Sequence, residues 1–261
     1  MDINHPQAPD RFEVTYRSLP CARMRARTVG RAVPGVPEVV VVQGMAVSDY
    51  LMPALARLGE WTRAHLVDLP GLAGSGDPPQ ELDVPGYGRA MAAWLDDAAL
   101  GPVVVAGHSS GTQVAAHAAA LRPGRTAALV LASPTVDPVA RSVPRLLLHW
   151  RLDARREPGE LGRSHHPEWL RAGPRRLWHI VRAHLDDHVE DVLADLPFPV
   201  LVLRGRRDRL LTARWARELA RTAPDGRFLE VPGAHTFVWP YPDAWSEPIR
   251  TLAEGGGEDG R

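Results

Sequence analysis

The strongest chemical signal in the chain is a serine that lies between two glycines. Residues 107–111 read Gly-His-Ser-Ser-Gly, an apolar strand-like run at 103–106 precedes them, and an Ala-rich helical pattern follows at once. A G-x-S-x-G sequence between a strand and a helix is typical of a nucleophile elbow, the sharp turn that exposes a serine hydroxyl. Ser109 occupies the central position, so the pattern predicts Ser109 rather than Ser110 as a nucleophile.

A serine hydroxyl attacks poorly unless a base takes its proton, and a candidate base occurs late in the chain. His235 follows a strand-like run at 228–231 and a Pro-Gly-Ala turn. Asp208 lies five residues beyond another strand-like run, at 200–203. A carboxylate beside a histidine fixes its tautomer and stabilises the imidazolium. Because Ser109, Asp208 and His235 all follow the carboxyl ends of strands, we expect them to meet at one edge of a sheet.

The elements that must position these residues alternate along the chain. Eight segments have strand-like patterns: residues 12–16, 24–29, 39–42, 65–67, 103–106, 128–131, 200–203 and 228–231. The run at 39–42 is valine throughout, as in a strand buried on both faces. Helical patterns separate most of the later segments, including one at 49–58 for which Ser48 is the predicted N-cap. This alternation predicts an α/β fold with a mostly parallel sheet flanked by helices.

One stretch of the chain breaks the alternation. Residues 135–195 contain no strand-like run and consist of helical stretches interrupted by proline, predicted at 143–156, 167–171 and 174–193. We therefore predict a helical cap at 135–195, inserted after the sixth strand of a core made of residues 1–134 and 196–254. The Gly-rich end, residues 255–261, is predicted to be a flexible tail.

Together with two further loops, these motifs resemble the α/β-hydrolase superfamily, in the serine-nucleophile branch that carries a helical cap. The loops are Gln-Gly-Met at 43–45, after the third strand, and Asp-Leu-Pro-Gly-Leu-Ala-Gly-Ser at 68–75, after the fourth. The resemblance spans about residues 14–252. It implies the α/β-hydrolase fold, with a mostly parallel eight-stranded sheet flanked by helices, and a catalytic triad made of the three residues above, whose chain order is Ser, Asp, His.

The loop after the third strand departs from the usual pattern of that family, which has His-Gly where this chain has Gln43-Gly44. By position, the resemblance implies an oxyanion hole built from the backbone amides of Met45 and Ser110. Backbone donors survive a change of side chain, so the predicted hole stays in place. Gln43 itself is either a structural residue or an amide group within reach of substrate.

Several side chains are candidates for the wall of a substrate pocket. The positions nearest to the predicted triad are Gln43, Gly44, His108 and Trp239. The predicted cap adds three tryptophans that either line an acyl pocket or anchor the cap on the core: Trp150, Trp169 and Trp178.

No metal site and no cofactor are predicted. His184 and His188 are four residues apart on a predicted helix, but the glutamate of the H-E-x-x-H pattern is absent between them. Cys21 is the single cysteine, so it has no partner for an intramolecular disulfide. All 31 basic residues are arginine, which excludes lysine-imine chemistry and a P-loop.

The identity of the nucleophile narrows the expected reaction. Members of the family that cleave haloalkanes or epoxides use Asp at the elbow, so Ser109 disfavours those activities. A serine favours cleavage of an ester, lactone, thioester or activated C–C bond of a small organic substrate, with the charge on the attacked oxygen held in the oxyanion hole. A lyase, acyltransferase or cyclase on the same fold is the alternative, and a non-catalytic ligand-binding protein is a third.

Charge and hydropathy argue against two classes of partner. The 31 basic and 31 acidic side chains cancel, so no global field draws the protein to nucleic acid or to anionic lipid. No apolar run approaches the length of a membrane span, and the first residues lack the apolar segment of a signal peptide. We therefore expect a cytoplasmic protein with a small-molecule substrate, and the oligomeric state stays open.

Overall fold

The computed structural model describes residues 11–255, and its centre is one eight-stranded sheet. The strands are β1 (Glu13–Leu19), β2 (Ala22–Val29), β3 (Val39–Val42), β4 (Ala64–Val67), β5 (Val103–His108), β6 (Thr126–Ala132), β7 (Val200–Gly205) and β8 (Gly226–Val231). The helices are α1 (Met52–Leu58), α2 (Val84–Ala98), α3 (Gly111–Leu121), α4 (Val143–Ala154), α5 (Leu161–Asp186), α6 (Val189–Leu193), α7 (Ala213–Thr222) and α8 (Asp243–Gly255).

The sheet is parallel except at one edge. Its strand order is β1-β2-β4-β3-β5-β6-β7-β8. β2 runs antiparallel to both β1 and β4, and every pairing from β4 through β3 to β8 is parallel. The predicted fold class is confirmed. The carboxyl ends of β3, β5, β7 and β8 consequently lie at the same edge of the sheet.

Helices cover both faces of the sheet, which explains the unbroken apolar strands. All four valines of β3 are buried. Val40 and Val42 pack in a core with side chains of α2, α3 and α7, whereas Val39 and Val41 pack on the opposite face with those of α1 and α8. A strand that is buried on both faces has a continuous apolar sequence instead of alternating polar and apolar residues.

The segment between β6 and β7 carries α4, α5 and α6. Its helix limits differ from the prediction, because helix begins at Leu161, upstream of Pro167, and continues to Asp186. Gly173 interrupts this helix with a φ of +76°. Pro174 then occupies the start of the second half, where its missing N–H costs nothing. The predicted tail lies outside the described residues apart from Gly255, and the division into core and cap stays a prediction.

Ser48 does not cap the helix that follows it. A 3-10 turn, Asp49–Leu51, precedes α1, and the Ser48 side chain makes no capping hydrogen bond. Its hydroxyl instead accepts from Arg27 and donates to Glu168 on α5 at 3.1 Å. A tertiary contact has therefore replaced the local one. Of the helices within residues 11–255, none is both long and apolar enough to cross a bilayer.

Candidate active site

Ser109 lies in the tight turn between β5 and α3. Its backbone has a φ of +55°, in the left-handed region that side chains rarely adopt. A Cβ atom on Gly107 would lie 2.4 Å from the carbonyl oxygen of Gly111, and one on Gly111 would lie 2.4 Å from that of Gln43. Both glycines are thus required by close backbone contacts, as expected for a nucleophile elbow.

The structure brings the three predicted triad side chains together. Ser109 Oγ lies 2.8 Å from Nε2 of His235, and Nδ1 of His235 lies 3.0 Å from Oδ2 of Asp208. A carboxylate oxygen only accepts, so Nδ1 of His235 carries the proton. In the neutral imidazole the other nitrogen, Nε2, then accepts the hydrogen bond from the serine hydroxyl.

Asp208 is fully enclosed in the turn after β7. Its Oδ1 accepts hydrogen bonds from the backbone amides of Leu210 at 2.8 Å and Leu211 at 2.9 Å. The cap of α7 is Thr212, whose side chain accepts from Trp215 N. Burial alone would raise the pKa of Asp208, but the charge of His235 and the hydrogen bonds lower it. Asp208 therefore stays ionised beside the histidine.

Two acids that the sequence did not single out lie against the His235 loop. Asp153, on α4, accepts from the His235 amide at 3.3 Å, and Glu157 accepts from the Thr236 amide at 2.6 Å. Burial lowers the pKa of His235, but the charge and hydrogen bond of Asp208, with the charges of Asp153 and Glu157, raise it to about 9. Burial, together with the nearby Asp153, raises the pKa of Glu157 to about 7.

The loop after β3 lies against Ser109, since a Cβ on Gly44 would lie 3.1 Å from Ser109 Cβ. The Met45 amide donates to Ser110 Oγ at 2.7 Å. Met45 and Ala46 both have positive φ, +42° and +63°. A Cβ on Gly44 would lie 2.6 Å from the His108 carbonyl oxygen, so the loop can approach β5 this closely only with glycine there. A substrate oxygen that uses the Met45 amide has to displace the Ser110 hydroxyl.

His108, the last residue of β5, contacts the His235 loop. Its Nε2 lies 3.0 Å from the His235 carbonyl oxygen, which can only accept, so Nε2 carries the proton. The Tyr50 hydroxyl donates to Nδ1 of His108 at 2.7 Å. Burial, and next the positive His235, lower the pKa of His108 to about 3. At neutral pH His108 is therefore uncharged, and it supports the His235 loop through a hydrogen bond rather than acting as a second base.

Above the triad lies a cavity of about 350 Å³. Ser109 and His235 are part of its wall, and most of the remaining wall is apolar. The apolar part comes largely from the segment between β6 and β7, with Val136, Val143, Leu146, Leu147, Leu177 and Val181.

The predicted pocket residues divide into two groups. Gly44 and His108 line the cavity, but Gln43 and Trp239 do not. Gln43 is 1% exposed, and neither of its amide atoms finds a hydrogen-bond partner within residues 11–255. Trp239 instead packs against the α1 and α8 side of the core. The backbone of Gln43 does lie beside the Ser109 turn, since its carbonyl oxygen is the atom that a Cβ on Gly111 would meet.

The three tryptophans of the segment between β6 and β7 also differ. Trp150 and Trp169 line the cavity, with their rings 5.6 Å apart in an edge-to-face arrangement. Trp178 is 53% exposed and lies outside it. Within residues 11–255, no group of three or more His, Cys, Asp or Glu side chains is placed to hold a metal ion.

Comparison with known proteins gives consistent matches. A model described as "Alpha/beta hydrolase family" matches residues 39–248. A pimeloyl-[acyl-carrier protein] methyl ester esterase of Xanthomonas campestris pv. campestris is 30% identical over 224 residues, which cover 76% of this chain and 87% of that protein. Lipase LipV of Mycobacterium tuberculosis is 60% identical over 47 residues, only 18% of either chain.

Solved structures show the same fold at lower identity. E-2-(acetamidomethylene)succinate hydrolase superposes with a TM-score of 0.75 at 19% identity, over 93% of this chain and 99% of that one. A thermophilic esterase from Thermogutta terrifontis also gives a TM-score of 0.75 at 19% identity, over 94% and 99% of the two chains. At this identity the likeness concerns the fold alone.

Proposed function

Because the chain belongs to the alpha/beta hydrolase family, we propose that it is a serine esterase that hydrolyses a small, largely apolar ester. The observation that carries this proposal is the 2.8 Å contact between Ser109 Oγ and His235 Nε2 in the wall of the cavity. Ser109 is the nucleophile, His235 the general base, and Asp208 the carboxylate that orients it.

The reaction has two steps, formation of an acyl-enzyme and its hydrolysis. Ser109 Oγ attacks the ester carbonyl carbon while its proton passes to Nε2 of His235. The tetrahedral intermediate collapses, the C–O bond to the alcohol breaks, and His235 returns the proton to the leaving alcohol. Water then attacks the acyl-enzyme with His235 again as base, which releases the acid and restores the serine. One ester and one water thus give one acid and one alcohol.

The backbone amides of Met45 and Ser110 hold the oxygen that becomes negative in each step. Donors of this kind contribute about 3 kcal/mol each to stabilisation of the transition state. In the free enzyme the Met45 amide is occupied by the Ser110 hydroxyl. The substrate oxygen therefore replaces an internal partner instead of entering an empty site.

The cavity supports an apolar substrate. Its volume of about 350 Å³ falls at the lower end of ordinary ligand pockets, which suits an ester of modest size. The relative of 30% identity is named for a methyl ester of an acyl chain, and a chain of that kind is compatible with the valines and leucines of this wall. A helical cap over the site, formed by the segment between β6 and β7, would select the substrate.

The first test is covalent labelling. A fluorophosphonate should add once to the wild type and to Ser18→Ala, an exposed serine on β1, but not to Ser109→Ala. Ser109→Ala should also lose hydrolysis of short p-nitrophenyl esters while its melting temperature stays within a few degrees. An unlabelled but folded wild type, or activity retained without Ser109, would refute the proposal.

A second experiment separates hydrolysis from the lyase, acyltransferase and cyclase alternatives. Turnover in heavy-oxygen water should place one labelled oxygen in the released acid, because water cleaves the acyl-enzyme. Turnover that gives unlabelled product would mean that Ser109 transfers the acyl group elsewhere or that no acyl-enzyme is hydrolysed.

A further inference from the structure

His184 is a polar side chain in an otherwise apolar part of the cavity wall. It lies near the end of α5, in the same wall as Leu177 and Val181, and is 6% exposed. It takes no part in the triad, and no metal cluster includes it among the residues described. Its hydrogen bonds nevertheless determine which of its ring nitrogens can face a substrate.

Gln113, on α3, fixes the tautomer of this histidine. The Gln113 Nε2 group donates to the His184 carbonyl oxygen at 3.0 Å and to Asp187 Oδ2 at 2.9 Å. Both partners only accept, so the amide has one possible orientation, with Oε1 toward His184 Nδ1 at 2.8 Å. Because Oε1 also only accepts, the proton of the imidazole lies on Nδ1.

A second contact keeps this network rigid. Asp187 is also bound through Oδ1 to Nε2 of His117 on α3, at 2.8 Å. Two α3 side chains, Gln113 and His117, therefore hold the end of α5 at one carboxylate. His184 cannot change tautomer or turn its ring without breaking the hydrogen bond to Gln113.

The other ring nitrogen of His184, Nε2, is a hydrogen-bond acceptor that has no donor partner among the described residues. Burial lowers the pKa of His184 to about 4, so at neutral pH the ring is uncharged and Nε2 carries a lone pair. Within residues 11–255 Nε2 has no hydrogen-bond partner, yet it is not one of the fully enclosed atoms that lack one. Nε2 therefore keeps accessible surface, and His184 lines the cavity. An unpaired acceptor in such an apolar wall is unfavourable until a donor reaches it.

We propose that Nε2 of His184 accepts a hydrogen bond from a neutral O–H or N–H group on the apolar part of the substrate. The inference rests on the esterase function proposed above and makes it more specific. It selects esters whose chain carries a hydroxyl or a secondary amide. A chain that ends in a carboxylate has no proton to donate and would place its charge against a lone pair.

The test compares matched esters on the intact enzyme. For p-nitrophenyl alkanoates of four to eight carbons, each hydroxyl-bearing chain is paired with its methyl ether, and each acylamino chain with its N-methyl form. At one chain position the wild type should prefer the donor over its methylated partner by about fivefold to tenfold in kcat/KM, the value of one good hydrogen bond. The two pairs distinguish an O–H from an N–H donor.

Two variants assign this preference to His184. His184→Phe removes both nitrogens, and His184→Asn retains a donor for Gln113 Oε1 while it removes the Nε2 atom. Both should lose the preference and still hydrolyse the plain alkanoate, whereas His166→Phe, at an exposed position of α5, should keep it. His184→Asn decides the question if His184→Phe fails to fold.

The outcomes separate this inference from the esterase proposal. Ser109-dependent hydrolysis of plain esters with no preference at any chain position would overturn the role of His184 alone. A preference that survives in His184→Asn would do the same. Failure to hydrolyse any ester would overturn the esterase function and this inference with it.

Discussion

The indole Nε1–H of Trp169, on α5, donates a hydrogen bond to the carbonyl oxygen of Met45 at 3.0 Å. The preceding residue, Glu168, accepts from the amides of Ser48 at 2.7 Å and Asp49 at 3.1 Å. Two consecutive residues of α5 thus hold the loop after β3, Trp169 at Met45 and Glu168 at the end of the loop. The helix over the cavity therefore also positions the proposed oxyanion hole.

Trp169→Phe tests this relationship because it removes the N–H group and keeps most of the aromatic surface. We expect kcat to fall about fivefold to tenfold, the value of one hydrogen bond, with KM within about twofold. An interaction that matters in the transition state appears in kcat. Trp178→Phe, at an exposed position on the same helix, should behave as wild type. A change in KM alone would show that Trp169 only contacts substrate.

Ser110→Ala removes the hydroxyl group that accepts a hydrogen bond from the Met45 amide in the free enzyme. Without the hydroxyl, a substrate oxygen no longer competes with an intramolecular hydrogen bond worth about 1 kcal/mol. We expect kcat/KM for small esters to rise by about twofold to fivefold, since the Ser110 amide remains. A tenfold fall would mean instead that the hydroxyl turns and donates to the substrate oxygen.

Gly44→Ala tests the closeness of the loop to the nucleophile. The added Cβ would lie 2.6 Å from the His108 carbonyl oxygen and 3.1 Å from Ser109 Cβ, so the loop has to move. Displacement of a catalytic group by about 1 Å costs about a hundredfold in rate, and we expect a loss of that order in kcat/KM. Gly162→Ala, where the new Cβ meets no atom within 4 Å, is the control.

The sequence predicted the sheet and the meeting of Ser109, Asp208 and His235 because both depend on local patterns. A strand enclosed on both faces is a continuous apolar run, as in Val39–Val42, and Ser109, Asp208 and His235 each follow such a strand closely. The hydrogen bonds between these three residues need only the parallel sheet to bring its strand ends together. The proximity of these three side chains could therefore be predicted without knowledge of the helices that pack over them.

Local sequence patterns do not predict which acidic side chains contact the site. Asp153, Glu157 and Glu168 lie in an Arg-rich helical stretch, where an acid looks like part of a solvated face. Their partners are backbone amides of loops more than 70 residues away in the chain. No periodicity marks a contact that depends on how one helix packs over another loop. The same limit applies to Gln43 and Trp239, whose side chains turn away from the cavity.

The pKa of His235 predicts an alkaline pH profile. His235 acts as a base only when Nε2 is unprotonated, and its pKa is raised to about 9. Below that pH most of the free enzyme holds the imidazolium, so kcat/KM should rise with pH and level off above about 9. Rates from pH 6 to 10.5 with an ester that does not itself ionise would show this. A profile that is already level at pH 7 would contradict it.

Glu157→Gln should move that profile to lower pH. The amide still accepts from the Thr236 amide, so the contact between α4 and the His235 loop is preserved while one negative charge facing His235 is lost. Glu157 has a pKa of about 7. It is therefore ionised at the pH where His235 titrates, and its charge acts at the midpoint of the profile. Removal of the charge makes the imidazolium less stable, which lowers the pKa of His235 and increases kcat/KM at pH 7.

The control is Glu254→Gln, at a partner of Arg250 on the exposed surface of α8, which should leave the midpoint of the profile unchanged. An unchanged midpoint in Glu157→Gln would mean that Asp208 and Asp153 alone raise the pKa of His235.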